Sequence, residues 1–124
     1  MQSLLLVMLG GALGSGARHL TGRTMLALAG PRFPAGTLTV NLVGGLAMGL
    51  LAGVLARTGG AEGWRLFVGV GVLGGFTTFS SFSLDTVMLV EAGRSLVAIG
   101  YVAASVAGSL LALVAGLSLA RGLA

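Results

Sequence analysis

The sequence predicts an all-α membrane protein of four transmembrane helices, and three observations carry that prediction. The chain of 124 residues is 56% hydrophobic and only 8% charged, with a mean hydropathy of +1.05, whereas a soluble domain carries about a quarter charged residues. Its charged side chains leave four uncharged stretches, 1–17, 33–56, 66–84 and 95–120, of 17, 24, 19 and 26 residues. A helix of roughly 20 residues crosses a bilayer. The connections between these stretches are short, so residues 1–124 read as a single four-helix transmembrane domain with no room for a soluble one.

The first helix is expected over about 2–20. Its LLLVML run has the length of a signal-peptide core, but no basic residue precedes it and no clear cleavage site follows, which favours a retained helix. The stretch TGRTMLALAGPRFPAG holds both prolines, Pro31 and Pro34, as befits a loop and the opening of a helix. The second helix is expected over 35–56. The loop RTGGAEGWR follows, with Trp64 placed as an anchor at the lipid interface. The third helix is expected over 65–90, EAGR (91–94) makes a tight turn, and the fourth helix fills 95–120.

Composition excludes several functions. The net charge of +4 comes from seven arginines against three acids, scattered one or two to a loop, so they mark lipid headgroups and no nucleic-acid partner is expected. There is no cysteine, and His19 is the only histidine, so thiol chemistry and a histidine metal site are not expected. No nucleophile–base pair and no phosphate-binding loop spacing are present, so the chain is not read as an enzyme.

Arginines normally mark the cytoplasmic side. Here Arg57, Arg65 and Arg121 stand on one side and Arg18, Arg23, Arg32 and Arg94 on the other, which becomes three against three if Arg18 lies within the first helix. Two readings stay open on this count: a fold that inserts both ways up and pairs with an inverted copy of itself, or an accidental tie.

The helices carry more than lipid-facing leucine. Thr37, Asn41, Gly45, Gly49 and Gly53 recur every four residues in the second helix, and Gly10, Gly14 and Arg18 do so in the first. In the fourth, Gly100, Ala104, Gly108, Ala112, Gly116 and Ala120 form a small-residue stripe beside Tyr101, Ser105 and Ser109. Small stripes let membrane helices approach closely. The Asn41 amide needs partners in an apolar setting, either as glue between helices or as a donor to an anion. Tyr101, Ser105 and Ser109 set three hydroxyls along about 12 Å of helix, a ladder of donors that marks a path.

The most unusual stretch is GGFTTFSSFSLD, residues 74–85. Gly74 and Gly75 weaken the helix by up to ~1 kcal/mol each relative to alanine, and Thr77 and Thr78 compete for local hydrogen bonds. Together they predict a break in the third helix. A break frees backbone carbonyls, which are ligands for a hard cation such as Na⁺. Phe79 and Phe82, three apart, are expected to share a face. Their ring edges are positive and suit an anion, although ordinary packing explains such a pair equally well.

Together these motifs resemble the Fluc fluoride channels, the CrcB family. The resemblance covers nearly the whole chain through GGALGSGAR, GTLTVNLVGG, GGFTTFSSFS and the tyrosine–serine track. Ser81 stands where the family commonly has threonine, and Asp85 where it often has glutamate. The resemblance implies a dual-topology antiparallel homodimer with two pores in the inner (plasma) membrane, with lipid, fluoride and its own inverted copy as partners. It implies a structural Na⁺ at the dimer centre held by the carbonyls of Gly74 and Thr77 from both subunits. It assigns Asn41, Phe79, Phe82, Tyr101, Ser105, Ser109 and Thr37 to the fluoride pore and Arg18 to a vestibule. The implied activity is passive export of fluoride down its electrochemical gradient, which confers fluoride resistance.

Two rivals remain at this stage. A proton-coupled multidrug exporter of similar size needs a membrane-embedded carboxylate, and the one acid within a hydrophobic segment is Asp85, near the end of the third. A non-transporting scaffold would use the polar stripes for assembly alone.

Overall fold

The computed structural model describes residues 1–122. Its helices are α1 (Gln2–Ala29), α2 (Ala35–Thr58), α3 (62–76), α4 (Ser80–Glu91) and α5 (Ser95–Gly122). α3 runs through Glu62–Trp64, a π-helical Arg65–Leu73 and Gly74–Phe76. With α3 and α4 forming one span, the described residues hold four segments long and apolar enough to cross a membrane.

α1 runs nine residues beyond the expected end at 20. The arginines taken as its boundary ride on a helix that simply continues. Met25 to Ala29 are strong helix formers, and the Thr21 and Thr24 hydroxyls bond back to the carbonyls of Ala17 and Leu20, each at 2.9 Å. The helix stops where Gly30 takes φ 79°, a conformation glycine adopts freely, and Pro31 follows. At 28 residues α1 is about 42 Å long, more than a hydrocarbon core of about 30 Å needs, so one end extends into the headgroup region. Arg18 and Arg23 both lie within it.

Two helix pairs make the body of the subunit. α5 lies along α2, and α1 lies along α3. In the first pair, a methyl group added at Gly49 would overlap the Leu113 carbonyl, and one at Gly116 would overlap the Leu46 carbonyl. In the second, one added at Gly14 would overlap the carbonyl of Val72. Backbone therefore meets backbone directly, as membrane helices do when no hydrophobic drive holds them. The small-residue stripe of the fourth segment is used only in part. Gly116 and Ala120 are buried, while Gly100 and Ala104 face outward, because α2 covers only the later turns of that stripe.

Little of the subunit is buried. A cluster of Phe82, Leu89, Ala98 and Tyr101, with Phe33, Leu38, Val97 and Val102 against it, joins α4, α5 and the start of α2. Leu13, Leu110 and Leu111 are exposed, as suits helices that face hydrocarbon.

Candidate functional site

The site forms where α3 ends. Phe76 closes one helical stretch and Ser80 opens the next, with Thr77 extended (φ −86°, ψ 159°) between them. Asn41 of α2 stands opposite. Its Nδ2 donates to the Thr78 carbonyl at 3.0 Å, and its Oδ1 accepts from the Thr78 N–H at 2.9 Å. A side-chain amide thus stands in for a backbone partner, as polar groups at membrane depth require. One turn further along α2, Gly44 leaves room for the Thr77 methyl, which any Cβ there would overlap. The Thr77 hydroxyl bonds back to Leu73 at 2.9 Å, and the Thr78 hydroxyl accepts the Ser81 N–H at 3.2 Å.

These bonds determine which carbonyls lose their helical donors. An α-helix would direct the Thr78 N–H to Gly74 and the Ser81 N–H to Thr77. The first is held by Asn41 and the second by the Thr78 hydroxyl, so the carbonyls of Gly74 and Thr77 are released from that pattern. Gly75, between them, instead accepts from Arg18 Nε at 3.1 Å. Arg18 therefore reaches into the protein to hold backbone, and it is half-buried.

A line of four rings runs beside this point. Phe79 and Phe82 have centroids 5.5 Å apart, Phe82 and Tyr101 5.4 Å, and Tyr101 and Phe33 5.5 Å, the last edge-on at 87°. Phe79 and Phe82 stand side by side, as their spacing predicts, but they differ in burial. Phe79 is 77% exposed and Phe82 9%, because Phe79 precedes the first turn of α4 and points off the subunit. The buried Tyr101 hydroxyl donates to Asp85 Oδ2 at 3.0 Å, and Thr37 of α2 walls a cavity with that Asp85.

Two cavities lie on either side. One, of about 430 Å³, is walled by Phe33, Thr37, Asp85, Arg32 and Arg94 among others. The second, of about 420 Å³, is walled by Asn41, Thr77, Phe79, Phe82, Ser105 and Ser109 among others. Ser105 is only 5% exposed, and its hydroxyl has no hydrogen-bond partner.

The structure brings together Asn41, Phe79, Phe82, Ser105 and Ser109, and places Thr37 and Tyr101 one step further along with Asp85. Arg18, Gly74 and Thr77 lie around the same turn of backbone. Phe33, Gly44 and the backbone of Thr78 escaped the sequence reading. Phe33 sits in a proline-flanked loop with no periodicity to flag it, and Gly44 lies beside the stripe that drew attention to Gly45. Among the described residues no group of three or more His, Cys, Asp or Glu that could hold a metal occurs.

Four membrane-length spans with a polar, aromatic-lined track beside a released stretch of backbone define the class: a small multi-pass membrane protein. The chain matches the family described as CrcB-like protein, Camphor Resistance (CrcB), over residues 5–117, and it belongs to that family. It is 63% identical over 124 residues to the fluoride-specific ion channel FluC of Sphingopyxis alaskensis, covering 99% of this chain and 98% of the relative. It is 54% identical over 123 residues to the FluC of Mesorhizobium japonicum, covering 99% of each. The family is one of ion channels and not of enzymes, and the chain is a multi-pass protein of the inner membrane.

Proposed function

We propose that this chain is a fluoride-selective passive channel, working as an antiparallel dual-topology homodimer with two pores and exporting fluoride from the cytoplasm. The names of the relatives support the ion. The observation that carries the reading is the unpartnered Ser105 hydroxyl, buried at the wall of a cavity it shares with Asn41, Ser109, Phe79 and Phe82. A buried hydroxyl without a partner costs about 1–3 kcal/mol, and an anion in the cavity removes that cost by accepting from it.

The groups around that cavity are neutral donors: hydroxyls, the remaining Asn41 N–H and ring edges. Fluoride is smaller than chloride and a stronger hydrogen-bond acceptor, so closely placed donors replace its water better than that of chloride. A fixed cation would hold the ion too tightly for throughput. Thr37, and Tyr101 through its bond to Asp85, continue the track toward the cavity of Asp85, Arg32 and Arg94. Fluoride enters acidified cells as neutral HF and dissociates inside. An inside-negative potential then favours its exit by about 2.3 kcal/mol per 100 mV.

The inverted dimer is supported by the balanced arginines and by Phe79, whose exposed ring an inverted copy would cover. Two copies give two tracks. The carbonyls of Gly74 and Thr77 fit a structural Na⁺ between subunits, since their helical donors are engaged elsewhere. When bound, Na⁺ supplies the positive charge those oxygens lack. Asn41 keeps the backbone open there, and Arg18 occupies Gly75 so that it does not compete.

Ser105→Ala tests the reading in reconstituted vesicles. Fluoride efflux is expected to fall by roughly tenfold, the loss of one hydrogen bond to a charged group. Undiminished efflux from the alanine variant would contradict the role given to this hydroxyl.

A further inference from the structure

Phe33 is the ring for which the track has no assigned use. It arrives on the short α1–α2 connection, which is fastened from outside by the Arg94 guanidinium donating to the Arg32 carbonyl. Phe33 and Asp85 wall the outer cavity, and Phe82 and Ser105 wall the inner one. Tyr101 stands between them. Its hydroxyl holds Asp85 at 3.0 Å, its ring meets Phe82 at 5.4 Å, and Ser105 lies one turn further along α5. Tyr101 is 0% exposed, its ring packed between a wall residue of each cavity, Phe33 and Phe82. Phe82 holds one side of this ring, and Phe33 packs nearly perpendicular to it with centroids 5.5 Å apart.

We propose that Phe33 is a positioning residue for conduction: it props Tyr101 so that the phenol stays between the two cavities, aimed at Asp85. The proposal rests on the channel reading above. Without the prop, the ring keeps its aliphatic neighbours and Phe82 but tips toward the space Phe33 leaves, and the donor leaves the track. The aromatic ring, and not merely the volume, is what Phe33 supplies, since edge-to-face pairs add attraction beyond buried area.

Tyr101 is the sole tyrosine, so 3-fluorotyrosine labelling gives a single fluorine resonance that reports on it alone. Phe33→Leu is expected to move and broaden that resonance and to lower fluoride efflux roughly threefold to tenfold. Phe33→Tyr, measured by efflux only, is expected to keep near-original flux. If Phe33→Leu does not assemble, Phe33→Met, of similar volume without a ring, is read in the same way. An unmoved resonance, a moved resonance with full efflux, or equal loss in Phe33→Tyr would each overturn the proposal. Absence of efflux from the unsubstituted protein sinks the channel reading and this proposal with it, and is distinguishable because it precedes any substitution.

Discussion

Asn41 holds the backbone of Thr78 at both ends of its peptide hydrogen-bonding repertoire, donating to the carbonyl at 3.0 Å and accepting from the N–H at 2.9 Å. One side chain of α2 thereby keeps the chain from continuing as helix past Phe76. The same contact frees the Gly74 carbonyl and leaves one Asn41 N–H for the cavity. Structure and transport therefore share a residue.

Asn41→Ala is expected to destabilise the protein by about 1–3 kcal/mol, because it leaves the Thr78 amide and carbonyl unpaired away from water. Thermal unfolding in detergent measures this, and fluoride efflux should fall with it. Asn41→Asp keeps the acceptor for the Thr78 N–H but loses the donor, so it should recover part of the stability and little of the flux.

Phe82→Ile keeps an apolar side chain in the core but removes a ring edge from the inner cavity. Fluoride efflux is expected to fall by roughly tenfold, while the variant elutes as the unsubstituted dimer does on size exclusion. Undiminished flux in a properly assembled variant would remove the ring-edge argument at this position.

Rigorous Na⁺ depletion is expected to weaken activity slowly and to lower the unfolding temperature, with recovery when Na⁺ is returned. The released carbonyls of Gly74 and Thr77 motivate this expectation. Arg18→Gln, which frees Gly75, should change the Na⁺ concentration needed for recovery. Identical stability with and without Na⁺ would count against the cation site.

Gly49→Val is expected to prevent assembly. Its side chain would collide with the Leu113 carbonyl in the α2–α5 contact, and backbone cannot yield as a side chain can. A loss of about 1–3 kcal/mol follows from overpacking alone. Gly100→Val, on the outward side of α5 with open space around it, should be tolerated.

The four spans were legible because charge is excluded from hydrocarbon, and so uncharged runs mark them directly. The end of α1 was not, because Arg18 and Arg23 are compatible with helix and only Gly30 and Pro31 stop it. GGFTTFSSFSLD drew attention through its glycines and hydroxyls. What it does not contain is its partner: Asn41 lies 37 positions from Thr78, and only packing brings them together. The resemblance to a family proposed a role for each candidate residue one by one. It did not tell that Arg18 bonds Gly75, that Phe79 is far more exposed than Phe82, or that Phe33 completes the line of rings, since these follow from the path of the loops.

The most direct measurement is fluoride efflux from liposomes holding the purified protein, followed with a fluoride electrode after addition of a K⁺ ionophore, with chloride-loaded vesicles alongside. Rapid fluoride loss with little chloride loss is the predicted result. Retained fluoride in vesicles that hold a verified, Na⁺-replete dimer, or equal loss of both anions, would contradict a fluoride-selective channel.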